Sequence, residues 1–356
     1  GSIVFSVVFF IIAMNTTEKT MKLKIVYDVI STEEDNYFEQ AWVSMFSLKH
    51  YNKNAYIVLL TDESTLMTIN NTYREKAKSL IDDIVVVPFD KHYSNKEKAR
   101  WIKTSMRHLV KGDFLFIDAD TIVAGTLEES YFDSFRNFIG AVQDYNCSSQ
   151  IVCHSAIFKI MYVDRLKSIY GVDYKQDTDV YNSGVLFVRD VPEAYELFDA
   201  WHRNWLIAND KGVCLDQLPL VKTCQEMGNP IRSMSGIYNC QVKFSIQYFH
   251  KAIILHTFSH QQDSSLSPIL GPYLYEEIKR QRDLSDNIKN IVLNAKDTFV
   301  SPCFLVGKEW VDISFMPIYI LLKQLYFSKS RWDKRILSFL NLGSRAVMLL
   351  LRKMHG

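Results

Sequence analysis

Short β-rich runs alternate with helix-length segments through the first third of this 356-residue chain. The apolar runs KIVYDVI, AYIVLL, IVVVP and FLFI are separated by segments whose apolar side chains recur at helical spacing. Such alternation is typical of βαβ units, whose strands pair in parallel. The runs are apolar almost throughout, as expected of strands that helices cover on both faces. We therefore expect an α/β fold with a mostly parallel central sheet flanked by helices.

The pattern predicts the following elements. The predicted strands are Lys24–Ile30, Ala55–Leu60, Ile84–Pro88, Phe114–Ile117, Asn137–Val142, Tyr181–Val188 and Ala252–Leu255. The predicted helices are Tyr37–His50, Glu63–Ile81, Lys96–Lys111, Pro192–Ala208 and Asp216–Cys224. We divide the chain into an N-terminal extension (1–20), a main α/β domain (21–275) and a helical, basic C-terminal region (276–356). Gly1-Ser2 is a common cloning remnant, and Met21 directly precedes the first strand, so we expect natural translation to begin at Met21.

The charge balance argues against a dedicated nucleic-acid-binding protein, because 41 Lys and Arg face 40 Asp and Glu. The six cysteines include no C-x-x-C pair, which argues against a zinc ribbon, and they are too sparse for a disulfide scaffold. We therefore expect free thiols and a cytoplasmic location.

The C-terminal region carries a segregated basic charge. Residues 318–356 contain eight Lys and Arg but one acidic residue, Asp333, with Trp332 and many aliphatic side chains interleaved at helical spacing. This pattern is typical of amphipathic helices that lie on an anionic membrane surface. The alternative is a helical subdomain that packs on the rest of the protein and leaves its charges in water. The apolar run Ile3–Ala13 is shorter than the ~20 residues that span a bilayer.

Two carboxylates directly follow a core strand in the segment FLFIDADT, where Asp118 and Asp120 are two residues apart. In an extended backbone such residues project to the same side, and open α/β sheets bind ligands at the carboxyl ends of their strands. Two carboxylates in one place repel each other unless a cation neutralises them, and a divalent metal with bound phosphates does so. The alternative is a pair of solvated turn aspartates.

Several kinds of protein could carry this pair. Haloacid-dehalogenase-like phosphatases have D-x-D-x-T on their first strand, whereas here the strand is the fourth and Ile122 stands at the Thr position. Nucleotidyltransferases usually have an early glycine-rich phosphate loop, but residues 31–36 contain no glycine. Nucleotide-sugar glycosyltransferases use D-x-D to bind Mn²⁺ or Mg²⁺ on the donor's diphosphate. A non-catalytic binding protein recruited to membranes is the alternative from another class.

Four further segments occur in a fixed order around the D-x-D pair. They are VISTEEDNY (29–37), YNSGVLF (181–187), LDQ (215–217) and IILH (253–256). Over roughly residues 23–262, the chain resembles glycosyltransferase family 8, the group of glycogenin and the lipopolysaccharide galactosyltransferases. The resemblance implies a GT-A-type nucleotide-binding fold. It also implies transfer of a hexose from a nucleotide sugar, UDP-Gal or UDP-Glc, to a saccharide hydroxyl with retention of anomeric configuration.

The resemblance also implies a role for each matching residue. The implied uridine-pocket residues are Ser31, Thr32, Asn36 and Tyr37; the metal ligands for Mn²⁺ or Mg²⁺ are Asp118, Asp120 and His256; the donor-sugar contacts are Asn182 and Ser183; the residues below the anomeric carbon are Asp216 and Gln217. A basic residue of the helix before D-x-D, Arg100 or Lys103, would reach the donor's sugar or phosphate. In that family the metal-ligand histidine is usually followed by Gly, Lys and Pro-Trp, in the pattern His-x-x-Gly-x-x-Lys-Pro-Trp. These residues are missing after His256, and His260 is the nearest substitute as a diphosphate ligand.

Each implied role has an ordinary structural alternative. His256 could simply end a strand, and residues 182–184 could form a plain turn. Arg100 could be a solvated helix charge, and Asp216 could cap a helix, because Asp caps well. The sequence leaves these alternatives open.

The implied chemistry points to a particular mechanism and acceptor. With an amide such as Gln217 at the anomeric carbon, we favour front-face attack by the acceptor hydroxyl. There are two alternatives: a covalent intermediate on Asp216, or inversion with a carboxylate as general base. The basic C-terminal region suits a lipid-linked acceptor of cell-surface polysaccharide synthesis. We therefore expect a peripheral protein at the inner face of the plasma membrane.

Overall fold

The computed structural model describes residues 23–90, 92–153, 158–245, 247–258, 267–298, 316–328 and 330–355. The expected N-terminal extension (1–20) and His260 lie outside these residues. The strands are β1 (Lys24–Asp28), β2 (Tyr56–Thr61), β3 (Asp83–Val86), β4 (Phe114–Ile117), β5 (Thr121–Val123), β6 (Ile139–Gln143), β7 (Tyr181–Val188), β8 (Arg232–Ser233), β9 (Cys240–Gln241) and β10 (Ile254–His256).

The α-helices occupy the segments between and after these strands. They are α1 (Tyr37–Tyr51), α2 (Glu63–Asn70), α3 (Asn95–Leu109), α4 (Glu129–Ser134), α5 (Ser149–Val152), α6 (Asp164–Tyr170), α7 (Pro192–Asp210), α8 (Gln217–Met227), α9 (Tyr273–Gln281), α10 (Asp286–Leu293), α11 (Pro317–Phe327) and α12 (Arg331–His355). A π-helical turn, Lys159–Val163, leads into α6.

The central sheet has seven strands in the order β3-β2-β1-β4-β7-β6-β8. Neighbouring strands pair in parallel except at β7, which is antiparallel to both β4 and β6. The carboxyl ends of β1 and β4 therefore meet at one edge, because Lys24 pairs with Phe114 at their starts. The predicted fold class, a mostly parallel α/β sheet flanked by helices, is confirmed.

A second, three-stranded sheet lies beyond the end of β4, in the order β5-β10-β9. β10 pairs antiparallel with β5, so that His256 is opposite Thr121. It pairs in parallel with β9, so that His256 is also opposite Gln241. The sequence pattern did not predict β5, β8 or β9, because strands of two or three residues have no periodicity to detect.

Alternate residues of the central strands enter separate layers of the core, as the period of a strand requires. In β1, Ile25 and Tyr27 pack with Trp42 of α1 on one face. Val26 packs with Ile102 and other residues of α3 and α7 on the opposite face. The sheet is thus covered on both sides, which explains why its strands are continuously apolar.

One predicted helix is divided in the structure. The expected helix Glu63–Ile81 is instead α2, which ends at Asn70, followed by a 3₁₀ helix over Tyr73–Leu80. Thr72 caps the second segment by accepting a hydrogen bond from the backbone of Arg74. The polar residues between the two segments favour caps over helix interiors. The break orients the buried Arg74 toward Glu39. The Nε of Arg74 lies 2.7 Å from Oε1 of Glu39.

The C-terminal part ends in α11 and α12, which pack against each other. No helix of the described residues is both long and apolar enough to cross a bilayer. The two helices before α11 pack on the main domain: Ile278 of α9 and Ile288 of α10 belong to the same core layer as α1. The domain boundary at residue 275 stays a prediction.

Candidate active site

Asp118 and Asp120 lie in the tight turn that joins β4 to β5. Thr121 closes the turn by donating from Oγ1 to the carbonyl of Asp118 over 2.9 Å. The backbone N–H of Asp118 donates to the carbonyl of Gly184 in β7, at 2.7 Å. Asp118 and Asp120 are therefore brought together by a hydrogen-bonded turn and not by an extended strand. Both are half-buried, so they are not freely solvated turn residues.

His256 joins this pair from the last strand of the small sheet. Its Nε2 lies 3.2 Å from Oδ1 of Asp120, and the backbone N–H of Thr257 donates to the carbonyl of Asp120 at 3.0 Å. Asp118, Asp120 and His256 each offer one ligand atom, and these atoms lie within 4.8 Å of one another. Two carboxylates and one imidazole form a donor set that suits Mn²⁺. The three residues therefore fit a divalent metal.

Two cations of α3 face the acidic turn, because residues three apart share a helix face. Lys103 is buried, and its Nζ lies 2.8 Å from Asp118 Oδ1 and 3.3 Å from Asp216 Oδ2. Arg100 is half-buried, and its Nε lies 3.0 Å from Asp216 Oδ1. Burial alone would lower the pKa of Lys103, but Asp118 and Asp216 outweigh burial and raise it. Lys103 is therefore held as a cation, and Arg100 is no solvated surface charge.

Asp216 precedes α8 at the N-cap position, yet its side chain makes no capping hydrogen bond. Instead, its carboxylate accepts a hydrogen bond from Ser183 Oγ at 2.5 Å, besides the ion pairs with Arg100 and Lys103. Burial alone would raise the pKa of Asp216, but these three neighbours outweigh it and hold that pKa well below its ordinary value. Asp216 therefore occupies the N-cap position without capping through its side chain, and its carboxylate is a stabilised anion.

The next functional candidates, Asn182 and Ser183, lie within β7 and not in a turn. Asn182 donates from Nδ2 to Asp144 at 3.2 Å, and Gln217 donates from Nε2 to the carbonyl of Tyr181 at 3.3 Å. Burial raises the pKa of Asp144, although hydrogen bonds from Tyr162, Asn182 and Gln217 act in the opposite direction. Asp144 thus accepts hydrogen bonds from both Asn182 and Gln217, the two amides that the sequence predicted for the site.

An open cleft of about 550 Å³ lies at the carboxyl ends of β1 and β4. The sequence-predicted residues among its lining are Tyr37, Arg100, Lys103, Asp118, Asp120, Asn182, Ser183, Asp216, Gln217 and His256. Ser31, Thr32 and Asn36 are not part of the lining. The Ser31 and Thr32 hydroxyls instead donate to Asp35, at 2.6 and 3.0 Å. Their role at a uridine pocket stays a prediction.

Sequence reasoning missed several polar residues of this region. Asp28 ends β1 and lines the cleft, and among the described residues its buried Oδ2 has no hydrogen-bond partner. Burial raises the pKa of Asp28 to about 7, with Lys103 lowering it and Asp118 raising it. Its place as the one acidic residue near the end of the predicted strand Lys24–Ile30 was a usable signal. Asp144 likewise follows the end of the predicted strand Asn137–Val142, whereas Asn239 lies away from every predicted strand and follows no such signal.

No known family model matches the sequence, and no curated protein matches it. The chain is similar in structure to mouse xyloside xylosyltransferase 1 in its apo form, with 13% identity and a TM-score of 0.42 over 66% of this chain and 97% of that one. It is similar to the apo bifunctional glycosyltransferase WbbM, with 16% identity and a TM-score of 0.48, covering 77% of this chain but about half (53%) of that one. It is also similar to galactosyltransferase LgtC in complex with donor and acceptor sugar analogs, with 13% identity and a TM-score of 0.43 over 81% and 99% of the two chains. At such identities the likeness concerns the fold, and membership of glycosyltransferase family 8 stays a prediction.

Proposed function

We propose that this protein is a metal-dependent glycosyltransferase. It transfers a hexose from a nucleotide sugar, UDP-Gal or UDP-Glc, to a hydroxyl of a saccharide acceptor. The observation that carries the proposal is the convergence of Asp118, Asp120 and His256 at a cleft, with ligand atoms within 4.8 Å of one another. Two cations, Arg100 and Lys103, line the same cleft.

The donor is a nucleoside diphosphate sugar because the cleft combines this metal-ligand set with positive charge. A divalent cation bound there would neutralise the diphosphate as it leaves. Arg100 and Lys103 add fixed positive charge where negative charge develops in the transition state. Lys96 and Arg165 also line the cleft, and they supply the positive charge that the family's missing lysine would have provided. His260 remains a further diphosphate candidate.

The residues around the sugar favour attack by the acceptor on the same face as the departing diphosphate. Asp216 is held as an anion by two cations and Ser183, which makes it a poor general base and a weak nucleophile. The amide nitrogen of Gln217 is engaged by the carbonyl of Tyr181. Its amide oxygen therefore remains to stabilise positive charge on the sugar, which is oxocarbenium-like in such reactions. This arrangement supports retention of configuration.

The acceptor that we propose is a lipid-linked saccharide of cell-surface polysaccharide synthesis. The support is the apolar face of α12, where Trp332 is 71%, Phe339 77% and Leu342 70% exposed at helical spacing. Arg331, Lys334 and Arg335 lie in the same helix. Large apolar groups beside basic ones are suited to an anionic lipid surface. We therefore propose a peripheral protein on the inner face of the plasma membrane.

A panel of nucleotide sugars tests the donor and the metal together. Thermal unfolding is followed with UDP-, GDP- and CMP-sugars, each with and without Mn²⁺, for the wild type, Asp120→Ala and the surface control Asp286→Ala. We expect stabilisation only when the UDP-sugar and Mn²⁺ are both present, because ligands stabilise the state that binds them. The Asp120→Ala profile should be flat, and the control should follow the wild type.

Product analysis separates the alternatives. NMR of the linkage formed on a saccharide acceptor should show the donor's anomeric configuration, and an inverted product would refute the front-face mechanism. Release of inorganic phosphate without sugar transfer would favour a phosphatase instead. An unchanged melting temperature with every donor would refute the glycosyltransferase proposal.

A further inference from the structure

The side-chain amide of Asn239 lies between the imidazole of His256 and the amide of Asn182. Asn239 is fully buried and directly precedes β9. Its Oδ1 is 3.1 Å from Nδ1 of His256, and its Nδ2 donates to Oδ1 of Asn182 at 2.9 Å. One side chain thus contacts a proposed metal ligand and a proposed donor-sugar contact at the same time.

A backbone group fixes the direction of these hydrogen bonds. The N–H of Gly184 can only donate, so the Asn182 atom 3.0 Å from it must be the amide oxygen. The Asn182 nitrogen then faces the carboxylate of Asp144. Because the Asn182 oxygen accepts, Asn239 must turn its NH₂ group toward it. The oxygen of Asn239 is therefore the atom that faces His256.

This chain of donors and acceptors determines the tautomer of His256. Only a protonated Nδ1 can donate to the oxygen of Asn239, and in the neutral ring the other nitrogen then has a free lone pair. That nitrogen, Nε2, is the atom beside Asp120. The ring of Phe258 stacks on the imidazole, with centroids 3.9 Å apart and planes inclined by 9°. The imidazole is thus fixed in orientation, with a proton on Nδ1 facing Asn239.

We propose that Asn239 is a positioning residue that serves the metal site and the donor-sugar site together. Its oxygen holds His256 in the tautomer that can bind a metal through Nε2, as the outer hydrogen-bond partners of metal-ligating histidines do. Its nitrogen holds the amide of Asn182 in place beside Asp144. The inference rests on the proposed function, because it takes Asp118, Asp120 and His256 as a metal site.

The tautomer can be measured directly on the wild-type protein. ¹⁵N NMR of the histidine ring nitrogens is recorded at pH 8 without added metal, and the resonances of His256 are assigned by their loss in His256→Gln. We expect a protonated Nδ1, the state in which Nε2 is the only ring nitrogen left to bind a metal. An unprotonated Nδ1 would overturn the inference, whatever the activity of the enzyme.

Two substitutions of Asn239 then distinguish the role of its amide oxygen from that of its amide nitrogen. Asn239→Asp keeps an acceptor for His256 but cannot donate to Asn182, whereas Asn239→Leu loses both contacts. Free Mn²⁺ is measured by electron paramagnetic resonance, and the KM for the nucleotide sugar is measured separately. We expect Asn239→Leu to lose roughly 10- to 100-fold in Mn²⁺ affinity. Asn239→Asp should bind Mn²⁺ nearly as the wild type does, but with a raised KM for the donor.

The matched control is Asn204→Leu, another buried asparagine, whose amide donates to Thr223 and Glu226 away from the cleft. It should bind Mn²⁺ as the wild type does. Equal Mn²⁺ affinity in Asn239→Leu and the wild type would overturn the inference. If the wild type itself binds no Mn²⁺, the proposed function fails instead, and the NMR result still decides the tautomer. Should Asn239→Leu not fold, Asn239→Asp and the NMR spectrum carry the test.

Discussion

The imidazole of His256 lies against the carboxylate of Asp120 because β10 pairs with β5 in a register that sets His256 opposite Thr121. Neither strand is longer than three residues. The contact is nevertheless supported on both sides, since Thr257 donates its backbone N–H to Asp120 and Asn239 holds the far side of the ring. The proposed metal site therefore depends on a short antiparallel pairing between distant parts of the chain.

Gly184 is the position where a single methyl group should disturb this arrangement most. A Cβ there would lie 2.3 Å from Cε1 and 2.8 Å from Nδ1 of His256. We expect Gly184→Ala to displace the imidazole and to destabilise the fold by about 1–3 kcal/mol, the usual cost of overpacking. Mn²⁺ titration and urea denaturation measure the two effects. Gly125→Ala is the control, because its Cβ would come no closer than 3.5 Å to Ile253. Wild-type Mn²⁺ affinity in Gly184→Ala would contradict the described close contact.

Lys103 should contribute to stability as a buried partner of two carboxylates. Lys103→Met removes the cation from Asp118 and Asp216, and breaking a buried ion pair in this way costs about 3–5 kcal/mol. The control is Lys76→Met, whose Nζ lies 2.7 Å from Asp283 but on the surface, with both side chains about half exposed. Surface pairs contribute about 0–1 kcal/mol. Urea denaturation in the presence of a chelator compares the two, and equal losses would show that Lys103 is not held as described.

His202 should make the fold sensitive to mild acid. Its ring meets Trp101 edge to face and lies tilted against Trp205. Burial lowers its pKa to about 4, with Asp199 raising and His108 lowering it. Because this value is below the ordinary 6.5, the unfolded chain takes up the proton first, and stability present above pH 6.5 is lost as the pH falls toward 4. At pH 5 the loss is about 2 kcal/mol by the same relation.

The measurement for His202 is the free energy of unfolding in urea at pH 7.5 and pH 5, for the wild type and His202→Gln. The difference between the two proteins should shrink at pH 5, because the variant lacks the titrating ring. A difference that does not change with pH would contradict the lowered pKa.

Tyr37 is the ring best placed to stack on a nucleotide base. It is 50% exposed at the start of α1 and lines the cleft. Base stacking on an aromatic side chain contributes about 1–3 kcal/mol, so Tyr37→Ala should raise the KM for the donor roughly 5- to 150-fold. Tyr37→Phe keeps the ring and should leave the KM near the wild-type value. If both variants behave like the wild type, the base binds elsewhere.

The exposed apolar face of α12 should determine membrane binding. Trp332→Ala and Phe339→Ala remove two rings that are mostly in water, so folding should be unaffected. Burying such a ring in the lipid contributes about 1.5–3 kcal/mol to binding. Each substitution should therefore weaken binding to phosphatidylserine-containing vesicles at least about tenfold. Co-sedimentation measures this, with neutral vesicles and the exposed Met67→Ala as controls. Deleting residues 318–356 should abolish vesicle binding but spare hydrolysis of the sugar nucleotide.

The sequence predicted the central strands and most of the helices well, because each has a periodic apolar pattern that depends on local residues alone. Phe114–Ile117 and Tyr181–Val188 occur with the predicted bounds. It also pointed to most of the polar residues that line the cleft, since polar groups at strand ends are expected to meet. It could not find Asn239, whose importance depends on two hydrogen-bond partners from other strands.

By itself, the sequence determined the α/β class, the covered sheet and the acidic pair after β4, because apolar periodicity and local turn chemistry depend on neighbouring residues. Only the tertiary structure decided that β7 is antiparallel, that β10 pairs with β5, and that Lys103 reaches both Asp118 and Asp216. The reason is physical: these contacts join residues far apart in the chain. Their geometry follows from the packing of the whole sheet and not from any local pattern.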